Sequence, residues 1–236
     1  MKALILAAGR GSRLAPLTDT LPKSLVPVNG KPILFKQLEN LYDNAVTDIT
    51  VVAGYRANML EAAVHDRFRD VNILKSEDYK ETNNMYSAWL ARELMAGDDF
   101  LMMNADVFMD PSAIEGLLAF PAPNAIVTDI GFYLVVSMKV VEKAGRLTHI
   151  SKDIPEDEAL GASIDVYKFS AQAGQAFFDK CDEYIRQKRE LKLWSEVALD
   201  AILPEVEFRA CPLNGRWYEI DDHEDLAAAE RIFMDE

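Results

Sequence analysis

Cysteine and histidine are scarce in this sequence, and its basic residues are outnumbered by acidic ones. Cys181 and Cys211 are the only cysteines in 236 residues, and they lack CxxC spacing. That excludes a disulfide framework or a cysteine-bound zinc, and predicts two free thiols. His65, His149 and His223 are isolated, with no HExxH pattern, so solvated or structural roles are expected. No apolar run approaches the roughly 20 residues needed to cross a bilayer. The apolar start, Met1 to Gly9, is too short for a signal peptide and runs at once into Gly-Arg-Gly. It reads as a buried first strand, and the protein as cytoplasmic. Lys and Arg total 25 against 39 Asp and Glu, a formal net charge of −14. So acidic a surface repels nucleic acid and anionic membrane, and neither is expected as a partner. It repels nucleotides too, so an anionic substrate needs a local basic site or a metal. Repeats, low-complexity tracts and linkers are also missing.

What is present is a core-forming pattern, with 50% of residues hydrophobic. Residues 3–8, 49–53, 71–74 and 100–103 read as buried strands. Between them lie helices opened by Pro32, running over Met59 to Phe68, and running from Asn83 or Asn84 to about Met95. Strands alternating with helices predict an α/β fold with a doubly wound, mostly parallel sheet. After residue 110 the rhythm changes. Strands are expected at 125–130, 163–169 and 217–220, and a hairpin over 138–150 turning at Lys143-Ala144-Gly145-Arg146. Helices are expected near 171–188, 194–203 and 222–233, the last capped by Asp222 with Asp225 as a partial capping box. Its apolar positions, Leu226, Ala227, Ala229, Ile232 and Phe233, suit either the core or an interface between copies. A single domain over 1–236 is expected, with 1–110 serving a nucleotide and 111–236 an acceptor.

The sharpest segment is Leu6-Ala7-Ala8-Gly9-Arg10-Gly11-Ser12-Arg13-Leu14, followed by Pro22-Lys23-Ser24-Leu25. Glycines after a first strand let backbone N–H groups close on phosphate oxygens. A dinucleotide-binding GxGxxG fails because its third glycine position holds Leu14. A Walker loop fails for want of GKS or GKT. Arg13 and Lys23 instead set two cations beside the loop, suited to a triphosphate and a leaving pyrophosphate.

This run, with Pro16-Leu17-Thr18 and continuing to Leu34, closely resembles the signature of nucleotidyltransferases acting on sugar-1-phosphates and related small phosphorylated molecules. The resemblance is dense over residues 4–34 and looser to the C-terminus. It implies a Rossmann-like nucleotidyltransferase fold with a hairpin and helical elaboration on the acceptor side. It also implies that Leu6, Ala8, Gly9, Arg10, Gly11 and Ser12 hold the triphosphate nucleotide, with Arg13 and Lys23 catalytic. Asp106 follows a buried strand, and Asp221 ends a late one. Carboxylates at strand ends suit a hard cation such as Mg²⁺ shared with phosphate oxygens. The resemblance agrees, matching both to the family's metal-binding aspartates.

Thr82-Asn83-Asn84-Met85-Tyr86-Ser87 resembles a segment of phosphocholine and inositol-1-phosphate cytidylyltransferases, which implies CTP as the nucleotide. Asn84 and Ser87 would contact base or ribose, or cap the helix. Ile150-Ser151-Lys152-Asp153 resembles the same subgroup, and would turn Lys152 toward the acceptor phosphate or leave it on a hairpin surface. Residues 128–133 depart from the pattern, because Ile130, Phe132 and Tyr133 are apolar. Phe132, Tyr133, Trp194 and Trp217 would form a cage for a quaternary ammonium, or fill a core or interface. The implied reaction moves CMP from CTP to phosphocholine or a similar amino-alcohol phosphate or phosphonate. An inositol-1-phosphate or sugar-1-phosphate acceptor and a non-catalytic nucleotide-binding regulator are the competing readings.

Overall fold

The computed structural model describes residues 1–133 and 137–234. Its strands are β1 Lys2–Ala7, β2 Asp48–Ala53, β3 Asn72–Lys75, β4 Phe100–Asn104, β5 Val107–Met109 and β6 Ala125–Ile130. They continue as β7 Lys139–Lys143, β8 Arg146–Ser151, β9 Gly161–Phe169, β10 Arg209–Pro212 and β11 Trp217–Glu219. The main helices are α1 Ile33–Asp43, α2 Ala57–Arg67, α3 Asn84–Leu90 and α4 Pro111–Ala119. Three more follow, α5 Ala171–Asp182, α6 Ser195–Ile202 and α7 His223–Ile232. None is long and apolar enough to cross a membrane.

β1 is apolar after Lys2 because the sheet covers both its edges and helices cover both its faces. It pairs in parallel with β2 on one edge and β4 on the other. Its alternate residues divide between two cores. Ala3, Ile5 and Ala7 pack with Leu34 and Leu38 of α1 and Leu60 of α2. Leu4 and Leu6 pack with Met85 and Ala88 of α3 and Phe177 of α5. Period-two alternation into two helical layers makes the sheet doubly wound, as the sequence predicts. The nine-stranded sheet runs β8-β7-β9-β4-β1-β2-β3, with β6 and β10 joined through β9. The β1–β4 centre is parallel, and β9 pairs antiparallel with β4, β6 and β7.

The hairpin turns at Ala144 and Gly145, both with positive φ, as a two-residue primed turn requires. β9 is the hinge between the two parts. Its C-terminal half pairs with β4 and its first residues with β7. At the change of neighbour the register slips against β6, and Asp165 adopts a left-handed φ of 57°. Two predicted helices are interrupted. The one from residue 84 stops at Leu90 and resumes over Arg92–Met95. The one from residue 171 widens into a π-helical turn at Glu183–Gln187.

β5 and β10 are short strands absent from the sequence reading. β5 matters most, because it pairs antiparallel with β11 in a separate ladder. β11 is therefore not a strand of the main sheet. α7 lies beside this ladder, with Ala229 and the following Phe233 buried among Leu14, Val26, Phe108 and Ile220. The thiols of Cys181 and Cys211 are free and buried. Each histidine has a local partner: Val71 O for His65, Asp200 for His149 and Ala15 O for His223.

Candidate active site

The glycine loop leaves the C-terminal end of β1 and enters a single turn at Ser12–Leu14. Gly11 takes a left-handed φ of 66°, and a Cβ there would lie 2.7 Å from Lys23 Cβ. Glycine is thus required twice, for the backbone turn and for the passage of the Lys23 stem. Thr18 Oγ1 donates to Gly11 O at 2.8 Å and fixes the loop.

Lys23 Nζ bridges Asp106 Oδ2 at 2.8 Å and Asp221 Oδ1 at 2.7 Å. Arg13 reaches the other oxygen of Asp221 at 2.8 Å. The β5–β11 ladder explains how residues so far apart in sequence meet. Glu219 stands opposite Val107, and Ile220 N–H donates to Asp106 O at 2.9 Å. Asp222 caps α7 in a full capping box with Asp225. Asp225 Oδ2 also accepts from Asp221 N–H at 3.0 Å, so the cap holds the neighbouring carboxylate in place. Burial opposes the charge on Lys23, but Asp106 and Asp221 outweigh it and raise its pKa. Burial likewise opposes ionised Asp221, and Lys23 and Arg13 outweigh it and lower its pKa.

Glu219 joins this pair, and one carboxylate oxygen from each of Asp106, Glu219 and Asp221 lies within 4.8 Å of the others. Burial first, then Asp165, Asp106 and Asp221, push Glu219 up to about 9. Asp106 Oδ1 is buried without a hydrogen-bond partner. An orphaned carboxylate oxygen beside two further acids fits the oxygen ligands of a hard divalent cation. Glu219 escaped the sequence reading, although its signal was there. Side chains two apart on a strand share a face, so Glu219 follows from Asp221.

These groups line one cleft of about 400 Å³. Leu6, Ala8, Gly9, Gly11, Ser12, Asn84 and Ser87 line it as well. Arg10 does not. It lies exposed, pairing with Asp19 at 3.4 Å and covering the Tyr55 ring. Lys152 Nζ sits 5.0 Å over the Trp194 ring, and both line the cleft. Phe132, Tyr133 and Trp217 are not among the lining residues. Phe132 packs edge-on against Trp217 at 6.5 Å, and Trp217 Nε1 donates to Asp129 at 2.9 Å. Of the four cage candidates, the described cleft holds Trp194 alone.

Its floor is instead a closed ring of polar groups that the sequence reading missed. Ser195 N–H donates to Asn84 Oδ1 at 2.8 Å, and Asn84 Nδ2 to Asn104 Oδ1 at 3.2 Å. Asn104 Nδ2 donates to Asp165 Oδ2 at 2.9 Å. Tyr167 Oη lies between Asp165 Oδ1 at 2.9 Å and Glu196 Oε1 at 2.8 Å. Ser195 Oγ donates to Glu196 Oε1 at 3.1 Å and closes the ring. Asn84 thus serves the ring, while Asn83 caps α3.

Comparison with known proteins points the same way. The Nucleotidyl transferase family matches residues 2–139. The choline-phosphate cytidylyltransferase of Streptococcus pneumoniae is 29% identical, with 100% of each chain covered. The mannose-1-phosphate guanyltransferase of Emericella nidulans is 40% identical over 99% of this chain and 64% of its own. A solved CTP:phosphocholine cytidylyltransferase from Streptococcus pneumoniae superposes with a TM-score of 0.82, at 24% identity and 98% coverage of both chains. The inositol-1-phosphate CTP transferase of T. maritima superposes at 0.78, with 18% identity, covering 98% of this chain and 96% of its own. With the glycine loop, Lys23 and the paired aspartates converging on one cleft of this fold, the chain belongs to the nucleotidyl transferase family.

Proposed function

We propose that this chain transfers CMP from CTP to a small phosphorylated amino alcohol, phosphocholine or a close phosphate or phosphonate analogue, and releases pyrophosphate. The observation that carries the reading is the cleft's polarity. Lys23 and the glycine loop line the cleft, Lys152 lines it with Trp194, and Arg13 lies near both, lining an adjoining pocket with Lys152. An acceptor phosphate beside Lys152 is already anionic near neutral pH, since its second pKa is about 6. One of its oxygens attacks the α-phosphorus, the bond to the β-phosphate oxygen breaks, and pyrophosphate leaves. No general base is required. The obstacle is the repulsion between two anions. Lys23, Arg13 and the backbone N–H groups of the loop offset it and hold the groups in line. Mg²⁺ held by Asp106, Glu219 and Asp221 supplies further charge neutralisation at the phosphates.

The Trp194 face and the acidic floor of Asp165 and Glu196 support a cationic group on the acceptor. The full-length likeness to a choline-phosphate cytidylyltransferase supports both CTP and this acceptor class. In this reading residues 1–110 serve the nucleotide and 111–236 the acceptor, with Glu219 and Asp221 returning to the nucleotide side. The 40% identity to a mannose-1-phosphate guanyltransferase favours a second reading, a sugar-1-phosphate acceptor. Pyrophosphate release with Mg²⁺ and phosphocholine, comparing CTP with ATP, GTP and UTP, tests the proposal. Release with CTP alone is expected. Release with GTP and a sugar phosphate, and none with CTP and phosphocholine, would replace it by the second reading.

A further inference from the structure

Two hydrogen bonds on the cleft floor converge on one hydroxyl. Tyr167 Oη lies 2.9 Å from Asp165 Oδ1 and 2.8 Å from Glu196 Oε1. A phenol has one proton to donate, and an ionised carboxylate has none. Two contacts between oxygens therefore need one proton more than Tyr167 and two carboxylates supply. The neighbours do not provide it. Asn104 Nδ2 is engaged with Asp165 Oδ2, and Ser195 Oγ serves Glu196. Ser163 Oγ accepts from Asp165 N–H at 3.1 Å, and its own proton points to the Tyr167 oxygen, so it fills neither contact between Tyr167 and a carboxylate. Among the described residues no lysine or arginine forms an ion pair with Asp165 or Glu196, and neither acid hydrogen-bonds to Asp106, Glu219 or Asp221. Asp165, Tyr167 and Glu196 are only 8%, 1% and 3% exposed, so water is a poor substitute. An oxygen facing an oxygen with no proton between them is repelled in so dry a place.

We infer that Asp165 and Glu196 share one proton across the Tyr167 hydroxyl, so that this buried pair carries a single negative charge and ties α6 to β9 at the floor of the cleft. The surroundings agree. Burial, then the charges of Glu196 and Asp106, push Asp165 up to about 7, against the hydrogen bonds from Asn104 and Tyr167. Asp165 in turn is among the charges that raise Glu219 on β11, a rise that Lys152 opposes. Burial, with Asp165 and Glu196, also drives the Tyr167 phenol well above its usual range, so it stays a donor. The left-handed backbone of Asp165 turns its carboxylate into the ring. Asp165 and Glu196 are positioning residues. They set the orientation of Asn84 and Asn104 and hold Trp194 beside its neighbour Ser195. The proton count stands on geometry alone, and its consequence for the acceptor rests on the function proposed above.

Infrared difference spectra of the full chain near neutral pH read the shared proton directly. The wild-type minus Asp165→Asn and wild-type minus Glu196→Gln spectra should each contain the carbonyl stretch of a protonated carboxyl. Either substitution replaces the shared proton by an amide N–H and leaves the remaining carboxyl ionised. Asp165 is among the charges acting on Glu219, so both difference spectra are recorded in a Glu219→Gln background, where no Glu219 signal arises. Steady-state kinetics with CTP and phosphocholine supply the second readout. Each single variant should raise the acceptor KM by about threefold, and the double variant by about thirtyfold or more, with the CTP KM moving less. The double exceeds the product of the singles because only it removes the charge. Absence of the protonated-carboxyl band from both difference spectra would overturn the inference. So would a double effect equal to the product of two large single effects, which marks two independent charges. If no acceptor turns over, the proposed function fails, and the spectra still decide the proton.

Discussion

The cleft holds negative charge in two opposite ways. In one cluster the half-buried Asp106 and Asp221 are balanced by cations, Lys23 between them and Arg13 beyond. Those cations have long stems and can turn from carboxylates to phosphates. In the other, the buried Asp165 and Glu196 are balanced by a hydroxyl and a proton inside a closed ring. That arrangement does not exchange partners easily. In the proposed reaction the contrast becomes a division of labour, with a labile ionic cluster for a changing phosphate charge and a rigid hydrogen-bonded one for a fixed acceptor.

The largest effects are expected on the ionic half. Lys23→Ala should lower kcat by about a hundred- to a thousandfold, comparable to loss of one preorganised charge-stabilising donor. Affinity for CTP should change far less, and equal kinetics in variant and wild type would remove Lys23 from the account. Chelating Mg²⁺ should stop pyrophosphate release, and restoring the metal should recover it. Gly11→Ala comes next. A side chain in a left-handed position costs about 1–3 kcal/mol, and here it also displaces Lys23. A lowered Tm with a still larger loss of kcat would show both.

Smaller effects separate the aromatics. Trp194→Ala should raise the phosphocholine KM by about tenfold, from loss of about 1–2 kcal/mol of cation–π attraction. Trp217→Ala should act on Tm through Phe132 and Asp129 rather than on the acceptor KM. The reverse result would return the cage to Trp217. The smallest effect lies outside the cleft, where Arg216 binds Asp110 in a bidentate pair. Burial opposes ionised Asp110, but the hydrogen bonds and charge of Arg216 outweigh it and lower its pKa. A depressed carboxyl stabilises the fold above its unfolded pKa, about 3.9. That contribution is lost as pH falls through the lower folded value. Thermal melts of wild type and Arg216→Gln should therefore differ at neutral pH and converge in acid.

The same contrast explains what the sequence could reveal. Residues of the ionic half lie in one continuous signature from Leu6 to Lys23, closed by aspartates at strand ends. Local order and strand-end logic were enough to read them. Asp165, Glu196 and Asn104 lie on β9, α6 and β4, far apart in sequence, and only the antiparallel return of β9 beside β4, with α6 packed on it through Tyr167, brings them together. Nothing near each in sequence marks it. Glu219 lay between these cases, legible by strand alternation once β11 was known. Phe132 and Trp217 show the converse. An aromatic that walls a cleft and one that packs an edge look alike in sequence, and only their neighbours separate them. The alternation of strands and helices exposed the doubly wound centre, whereas the three-residue β5 was too short to announce itself.

The most direct test of the central claim is the ratio of kcat/KM for phosphocholine to that for inositol-1-phosphate and mannose-1-phosphate, with CTP and Mg²⁺ held saturating. The account predicts a ratio of about a hundredfold or more in favour of phosphocholine, since the acidic floor and Trp194 reward a cationic acceptor. A ratio near one, or a preference for the polyol or sugar phosphate, would contradict it.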